Sequence, residues 1–209
     1  MEIEGNYNFK PRDETTKQGW YSRGYLPHFD GGETTQFITA RLFDSLPQEV
    51  LVRWRGQLKE ENEIDADLIL RKRVEFYLDQ GFGSCFLRDG RVAKTVQKAL
   101  LFHDGVKYKL QSWTVMPNHI HFLLTPNKGF ALEEIVHSIK SFTANEANKI
   151  LERRGIFWQH EPFDRYIRNR EHFVNVIKYI ENNPVKAKLC EKPEDWKFSS
   201  AFYRLQNET

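Results

Sequence analysis

Cysteine is almost missing: Cys85 and Cys190 are the only two in 209 residues, and they lie far apart with no metal-binding spacing. That argues against a disulfide scaffold or a cysteine zinc module and fits a reducing compartment. No stretch approaches the roughly 18 consecutive apolar residues of a membrane span. Residues 1–10 are polar and acidic, without the apolar centre of a signal peptide. We therefore expect a cytoplasmic protein with no membrane partner. No internal repeat or low-complexity tract is present. Charge of one sign is also lacking: 31 Lys+Arg face 29 Asp+Glu, a net of +2. Residues 105–209 carry a net of +4 and residues 1–104 a net of −2. This tilt suits a nucleic-acid-facing half and equally the scatter of a solvated surface.

Apolar residues make up 40% of the chain and aromatics 14%, which argues against disorder. A chain of this length buries roughly 70% of its unfolded surface, enough for a real core. We expect an N-terminal arm over 1–33, polar and aperiodic, then one domain over 34–203 and a short tail over 204–209. Residues 36–42 alternate as a first strand with Phe37, Thr39 and Arg41 on one face. Helical spacing follows over 49–58, 67–79 and 91–103. Residues 108–116 and 120–125 read as two strands joined by Pro117-Asn118. A long amphipathic helix covers 132–151, with Leu132, Ile135, Ile139 and Phe142 as its stripe. Residues 163–167 form a short strand, and a last helix over 171–182 is expected to stop at Pro184. The order predicts an α+β fold: an antiparallel sheet with helices packed mainly on one face, plus a helical insertion.

Three segments carry candidate chemistry. On a strand, His119 and His121 point to one face while Ile120 and Phe122 enter the opposite layer. Two such imidazoles can ligate one divalent ion; the bare pattern also fits two partly exposed histidines or a zinc site. On the last helix, Phe173, Val176, Ile177 and Ile180 form the apolar stripe, and at about 100° per residue Tyr179 lies about 60° outside its edge. Asn183 follows four residues on, about 6 Å along the axis. One helix flank thus presents a phenol and an amide oxygen to the same point, where the amide can complete the ligands of Mg²⁺ or Mn²⁺. A flank tyrosine with its hydroxyl in water fits the same pattern. Third, Phe157-Trp158-Gln159-His160 through Arg165-Tyr166-Ile167-Arg168 interleaves aromatics with arginines, as base stacking and phosphate contact require and as a core with a charged rim also does.

Taken together these segments resemble the REP-associated tyrosine transposases, of the HUH (His-hydrophobic-His) single-tyrosine transposase superfamily. The resemblance rests on Arg23-Gly24-Tyr25-Leu26-Pro27-His28-Phe29-Asp30, on Ser112-Trp113-Thr114-Val115-Met116-Pro117-Asn118-His119-Ile120-His121, and on Phe157-Trp158-Gln159. It continues through Phe163-Asp164-Arg165-Tyr166-Ile167-Arg168, Tyr179-Ile180-Glu181-Asn182-Asn183-Pro184-Val185-Lys186-Ala187 and Pro193-Glu194-Asp195-Trp196-Lys197-Phe198-Ser199-Ser200. The resemblance implies a ferredoxin-like core, His119, His121 and Asn183 as ligands of Mg²⁺ or Mn²⁺, and Tyr179 as the nucleophile. It implies cleavage and rejoining of single-stranded DNA near palindromic hairpins through a 5′-phosphotyrosine, with no nucleotide cofactor. Lys140, Trp158, Arg165, Arg168 and Lys186 are the expected DNA contacts, and the protein is expected to act as a monomer or homodimer. The alternatives are a hairpin-binding protein without transposition activity and a zinc hydrolase built on the histidine pair.

Overall fold

The structure is a computed structural model that describes residues 19–22, 27–60 and 66–207. Most of the expected arm, including Arg23-Gly24-Tyr25-Leu26 of the resemblance, lies outside these residues. Strands β1 (Gly19–Ser22) and β2 (Pro27–Asp30) form an antiparallel pair within the arm, and the Phe29 ring sits 5.0 Å from that of Tyr166. The arm is therefore not wholly aperiodic. A two-stranded ribbon is marginal alone, and this one leans on the main sheet.

The main sheet is antiparallel, four-stranded, in the order β4-β5-β3-β6. Its strands are β3 (Gln36–Arg41), β4 (Tyr108–Val115), β5 (His119–Pro126) and β6 (Phe163–Tyr166). Helices α3 (Gly90–Phe102) and α4 (Leu132–Ile150) connect them in the sequence β3-α3-β4-β5-α4-β6, the ferredoxin-like arrangement. Strand alternation divides the sheet into two faces. Ile38, Ala40, Ile120 and Phe122 join Val96, Leu100, Ile135 and Ile139 in the principal core, so α3 and α4 cover one face. Asp89 starts α3 by accepting the Arg91 N–H at 2.9 Å. The α4 stripe differs from the expectation in one place. Phe142 is 53% exposed, while Val136, Thr143 and Ala147 are buried, because the helix turns that position out of the contact.

The other face carries Phe37 and Leu123, which pack with Val176 and Ile180 of α5 (Arg170–Lys186). Burying two aliphatic side chains of this kind stabilises the helix by roughly 1.5–3 kcal/mol each. Asn169 caps α5 by accepting the His172 N–H at 2.8 Å. Contrary to the sequence expectation, α5 does not stop before Pro184 but runs through it to Lys186. Proline removes only the bond to the carbonyl of Ile180. The Ala187 N–H to Asn183 O and Leu189 N–H to Pro184 O bonds, both 2.9 Å, close the last turn. Asn183 consequently stays helical.

Helices α1 (Gln48–Glu60) and α2 (Ala66–Asp79) pack together through Leu51, Leu58, Leu70 and Val74, with Phe163 of β6 joining them. Helix α6 (Ser200–Asn207) crosses the expected domain boundary at 203. Its Ser200 hydroxyl donates to Glu181 at 2.7 Å and Arg204 pairs with the same carboxylate at 2.6 Å. These contacts tie α5 to α6.

Candidate active site

Register explains how the site assembles. Thr39 of β3 and Thr114 of β4 both oppose His121, and Arg41 opposes His119. Both imidazoles point to the α5 face and are buried, His119 1% and His121 0% exposed. Their Nε2 atoms are 3.1 Å apart. The far nitrogens are held: His119 Nδ1 lies 2.7 Å from Asn118 Oδ1, and His121 Nδ1 lies 2.8 Å from Thr39 Oγ1. Burial lowers the His119 pKa to about 3, with the Lys186 cation adding to the effect. Burial likewise pushes His121 well below the ordinary histidine range, with His119 and Lys186 as lesser causes. Both rings are therefore neutral at pH 7.

Tyr179 lies over this pair, its ring 5.4 Å from His121 and 5.8 Å from Phe37. Its hydroxyl is buried and closes no hydrogen bond of ordinary geometry. Glu75 of α2 and Asn183 are nevertheless close enough to interact with it as distorted hydrogen-bond partners. Burial raises the phenol well above its usual range, and the Glu75 and Asp79 carboxylates raise it further. Asn183 is 1% exposed with both amide atoms unpaired. A buried amide left so costs about 1–3 kcal/mol. Asp79 is held by Lys186 at 2.7 Å, and the Lys186 ammonium stands 5.9 Å from the centre of the Tyr179 ring.

These residues fit a divalent ion. Adjacent ligands on an octahedral ion with bonds of about 2.1 Å stand about 3 Å apart, close to the separation of the two Nε2 atoms. The unpaired Asn183 amide offers a hard oxygen on the same face. Among the described residues no three His, Cys, Asp or Glu side chains gather as a metal cluster.

Beside Tyr179, α2, α5 and the sheet enclose a cavity of ≈ 210 Å³. Its lining combines apolar Phe37, Phe163 and Val176 with the basic side chains of Arg71, Lys72 and Arg165. Arg165 feels the charges of Arg71, Glu75, Arg168 and Tyr179, which brings the expected contacts Arg165 and Arg168 to the site. Lys186 is there too. Lys140 and Trp158 are not. Trp158 is 6% exposed, belongs to the core on the opposite sheet face, and donates its indole N–H to Thr143 at 2.9 Å. Contrary to the sequence expectation it offers little surface for stacking on a base, because most of its aromatic surface is spent in the core. Lys140 is on α4 and donates to the carbonyls of Gln159 and His160 at 2.8 and 2.6 Å, bracing a loop.

Residues 89–183 match the family model of IS200-like transposases. The matched segment runs from the cap of α3 to Asn183. It contains both histidines, Tyr179 and Asn183, and leaves out α1, α2 and α6. Among solved structures, the fold matches a REP-associated tyrosine transposase bound to a REP hairpin, with a TM-score of 0.53 and 19% identity over 88% of this chain and 82% of that one. A putative transposase from Deinococcus radiodurans R1 aligns at a TM-score of 0.36 and 16% identity over 78% and 96% of the two chains. No curated protein matches the sequence. Thr39, Glu75 and Asp79 fall outside the IS200-like segment, and sequence reasoning missed them as site residues. Thr39 was readable as sharing a face with Phe37, but its register to His121 was not. Glu75 and Asp79 sit four apart on an amphipathic helix, where carboxylates ordinarily mark a solvated face.

Proposed function

We propose that the protein is a metal-dependent endonuclease and strand transferase for single-stranded DNA next to palindromic hairpins, with Tyr179 as nucleophile. The observation that carries this reading is that the Tyr179 hydroxyl and the Asn183 amide, buried together over a neutral histidine pair, close no hydrogen bond of ordinary geometry. Buried polar groups without partners are costly, and their gathering at one point marks a place built for a ligand. The hairpin part of the reading is supported by the match to a transposase solved with a REP hairpin.

His119, His121 and Asn183 would hold Mg²⁺ or Mn²⁺, which when bound supplies Lewis-acid polarisation of the scissile phosphate. The strand follows the basic edge formed by Arg71, Arg165 and Arg168, which neutralise its backbone charge. Tyr179 Oη attacks phosphorus and a P–O bond to tyrosine forms. The P–O3′ bond breaks, and the 3′-oxygen leaves and takes a proton from solvent. The phenolic proton passes to the Glu75 carboxylate, the acceptor beside it. Attack by another 3′-hydroxyl reverses the step, so no nucleotide cofactor is consumed. Lys186 stands by the Tyr179 ring and favours the phenolate. The active unit is a monomer or homodimer, and the reaction takes place in the cytoplasm with no membrane partner.

The test is incubation of the protein with a single-stranded hairpin oligonucleotide and Mn²⁺, resolved on a denaturing gel. A covalent adduct is expected, lost in Tyr179→Phe while hairpin binding is kept. Hairpin binding without an adduct under any divalent ion would support the binding-only alternative. Cleavage without an adduct would point to hydrolysis by activated water.

A further inference from the structure

We propose that Asn118 is a positioning residue that locks His119 in the Nδ1–H tautomer and so presents a bare Nε2 to the ion. The inference rests on the metal reading of the histidine pair given above. Asn118 is 1% exposed. Its Nδ2 donates to two backbone carbonyls, Leu78 O at 3.2 Å and Phe82 O at 2.9 Å. Turning the amide over would set Oδ1 against both carbonyl oxygens with no proton between them. The amide therefore has one orientation, and its Oδ1 faces His119 Nδ1 at 2.7 Å. A carboxamide oxygen only accepts. The proton must be on Nδ1, and in a neutral ring Nε2 then carries the lone pair.

The consequence reaches His121. Its Nε2 lies 3.1 Å from the bare Nε2 of His119, so in the metal-free protein His121 donates there. Its Nδ1 then accepts from the Thr39 hydroxyl at 2.8 Å. Loading both Nε2 atoms requires the His121 proton to move to Nδ1 and the Thr39 hydroxyl to turn from donor to acceptor. A threonine hydroxyl can do this by rotation, whereas the pinned Asn118 amide cannot. His119 is preset and His121 switches.

The carbonyls that pin Asn118 come from the end of α2 and the turn after it, outside the IS200-like segment. Gly83 shapes that turn: its φ is +88°, and a Cβ there would meet the Asp44 carbonyl oxygen at 2.8 Å. The end of α2 and the turn after it thus hold the amide that orients the first histidine.

The experiment is long-range ¹H–¹⁵N NMR of the full chain in EDTA at pH 7, followed by Mn²⁺ titration in a calorimeter. His119 is expected as the Nδ1–H tautomer and His121 as Nε2–H. Asn118→Leu should release His119 from that tautomer and weaken Mn²⁺ binding by about 10–100-fold, the usual range for an outer partner of a metal-bound histidine. Asn118→Asp keeps an acceptor for Nδ1–H but sets its other oxygen against the Leu78 and Phe82 carbonyls, so it should recover the tautomer only in part. Mn²⁺ uptake by a wild-type protein whose His119 is protonated on Nε2 overturns the role of Asn118 alone. The stated tautomers with no Mn²⁺ uptake overturn the metal reading, and with it the purpose of Asn118. If Asn118→Leu does not fold, the wild-type spectrum still decides.

Discussion

The amide of Asn183 and the hydroxyl of Tyr179, one helical turn apart on α5, are both buried, and neither closes a hydrogen bond of ordinary geometry. The histidine pair lies beneath that tyrosine, and the face they share is the one α3 and α4 leave uncovered.

Asn183 should therefore trade stability for function. Asn183→Leu removes an unpaired buried amide, so metal-free protein is expected to gain on the order of 1 kcal/mol, read as a higher Tm. The same variant should lose both Mn²⁺-dependent stabilisation and adduct formation. A lower Tm in EDTA would mean that the amide is satisfied in solution.

Glu75 is expected to set the acid limb of the reaction. Burial, the largest cause, raises its pKa above the ordinary carboxylate value, against the lowering effects of Lys186 and Arg165. A proton acceptor must be ionised, so adduct formation should fall as pH drops through that raised pKa. Glu75→Gln should slow the reaction and flatten this limb while leaving hairpin affinity unchanged. The linkage for stability has the opposite sense: the folded state favours the protonated acid, so Glu75 costs stability as pH rises through the window above its unfolded pKa. A pH profile identical in Glu75→Gln would remove Glu75 from the chemistry.

His119 predicts how metal-free protein responds to acid. Its folded pKa of about 3 lies below the unfolded value of 6.5. Between these values the unfolded chain binds the extra proton, so stability is full above 6.5 and is lost as pH falls toward 3. Tm in EDTA should decline from pH 7 to pH 5, and Mn²⁺ at pH 7 should raise it by mass action. His119→Leu should reduce the acid sensitivity if it folds.

The basic groups divide by face. Alanine at Arg165 or Arg168 should weaken hairpin binding and reduce the salt slope by about 1 for each phosphate contact removed. Lys140→Ala should leave that slope unchanged, because its ammonium is tied to the Gln159 and His160 carbonyls. Trp158→Ala should act on folding, costing about 3–5 kcal/mol in chemical denaturation. A full salt-slope effect at Lys140 would show that DNA also runs over the α4 face.

What the sequence disclosed was periodic. Strand alternation placed His119 and His121 together, and helical spacing placed Asn183 one turn after Tyr179. Contacts that depend on register or docking were not legible: Thr39 against His121, the amide of Asn118 against the end of α2, Glu75 against Tyr179. Composition misled at Trp158, where an aromatic among arginines is a core residue. The local rule for Pro184 also gave way, because a proline in the final turn removes one hydrogen bond and the bonds beyond it keep the helix closed.

The most direct measurement is mass-spectrometric mapping of the covalent adduct after digestion of the Mn²⁺ reaction with a hairpin oligonucleotide. A 5′-phosphodeoxynucleotide is expected on the peptide containing Tyr179. The same mass on the peptide of Tyr166 or Tyr203 would contradict it.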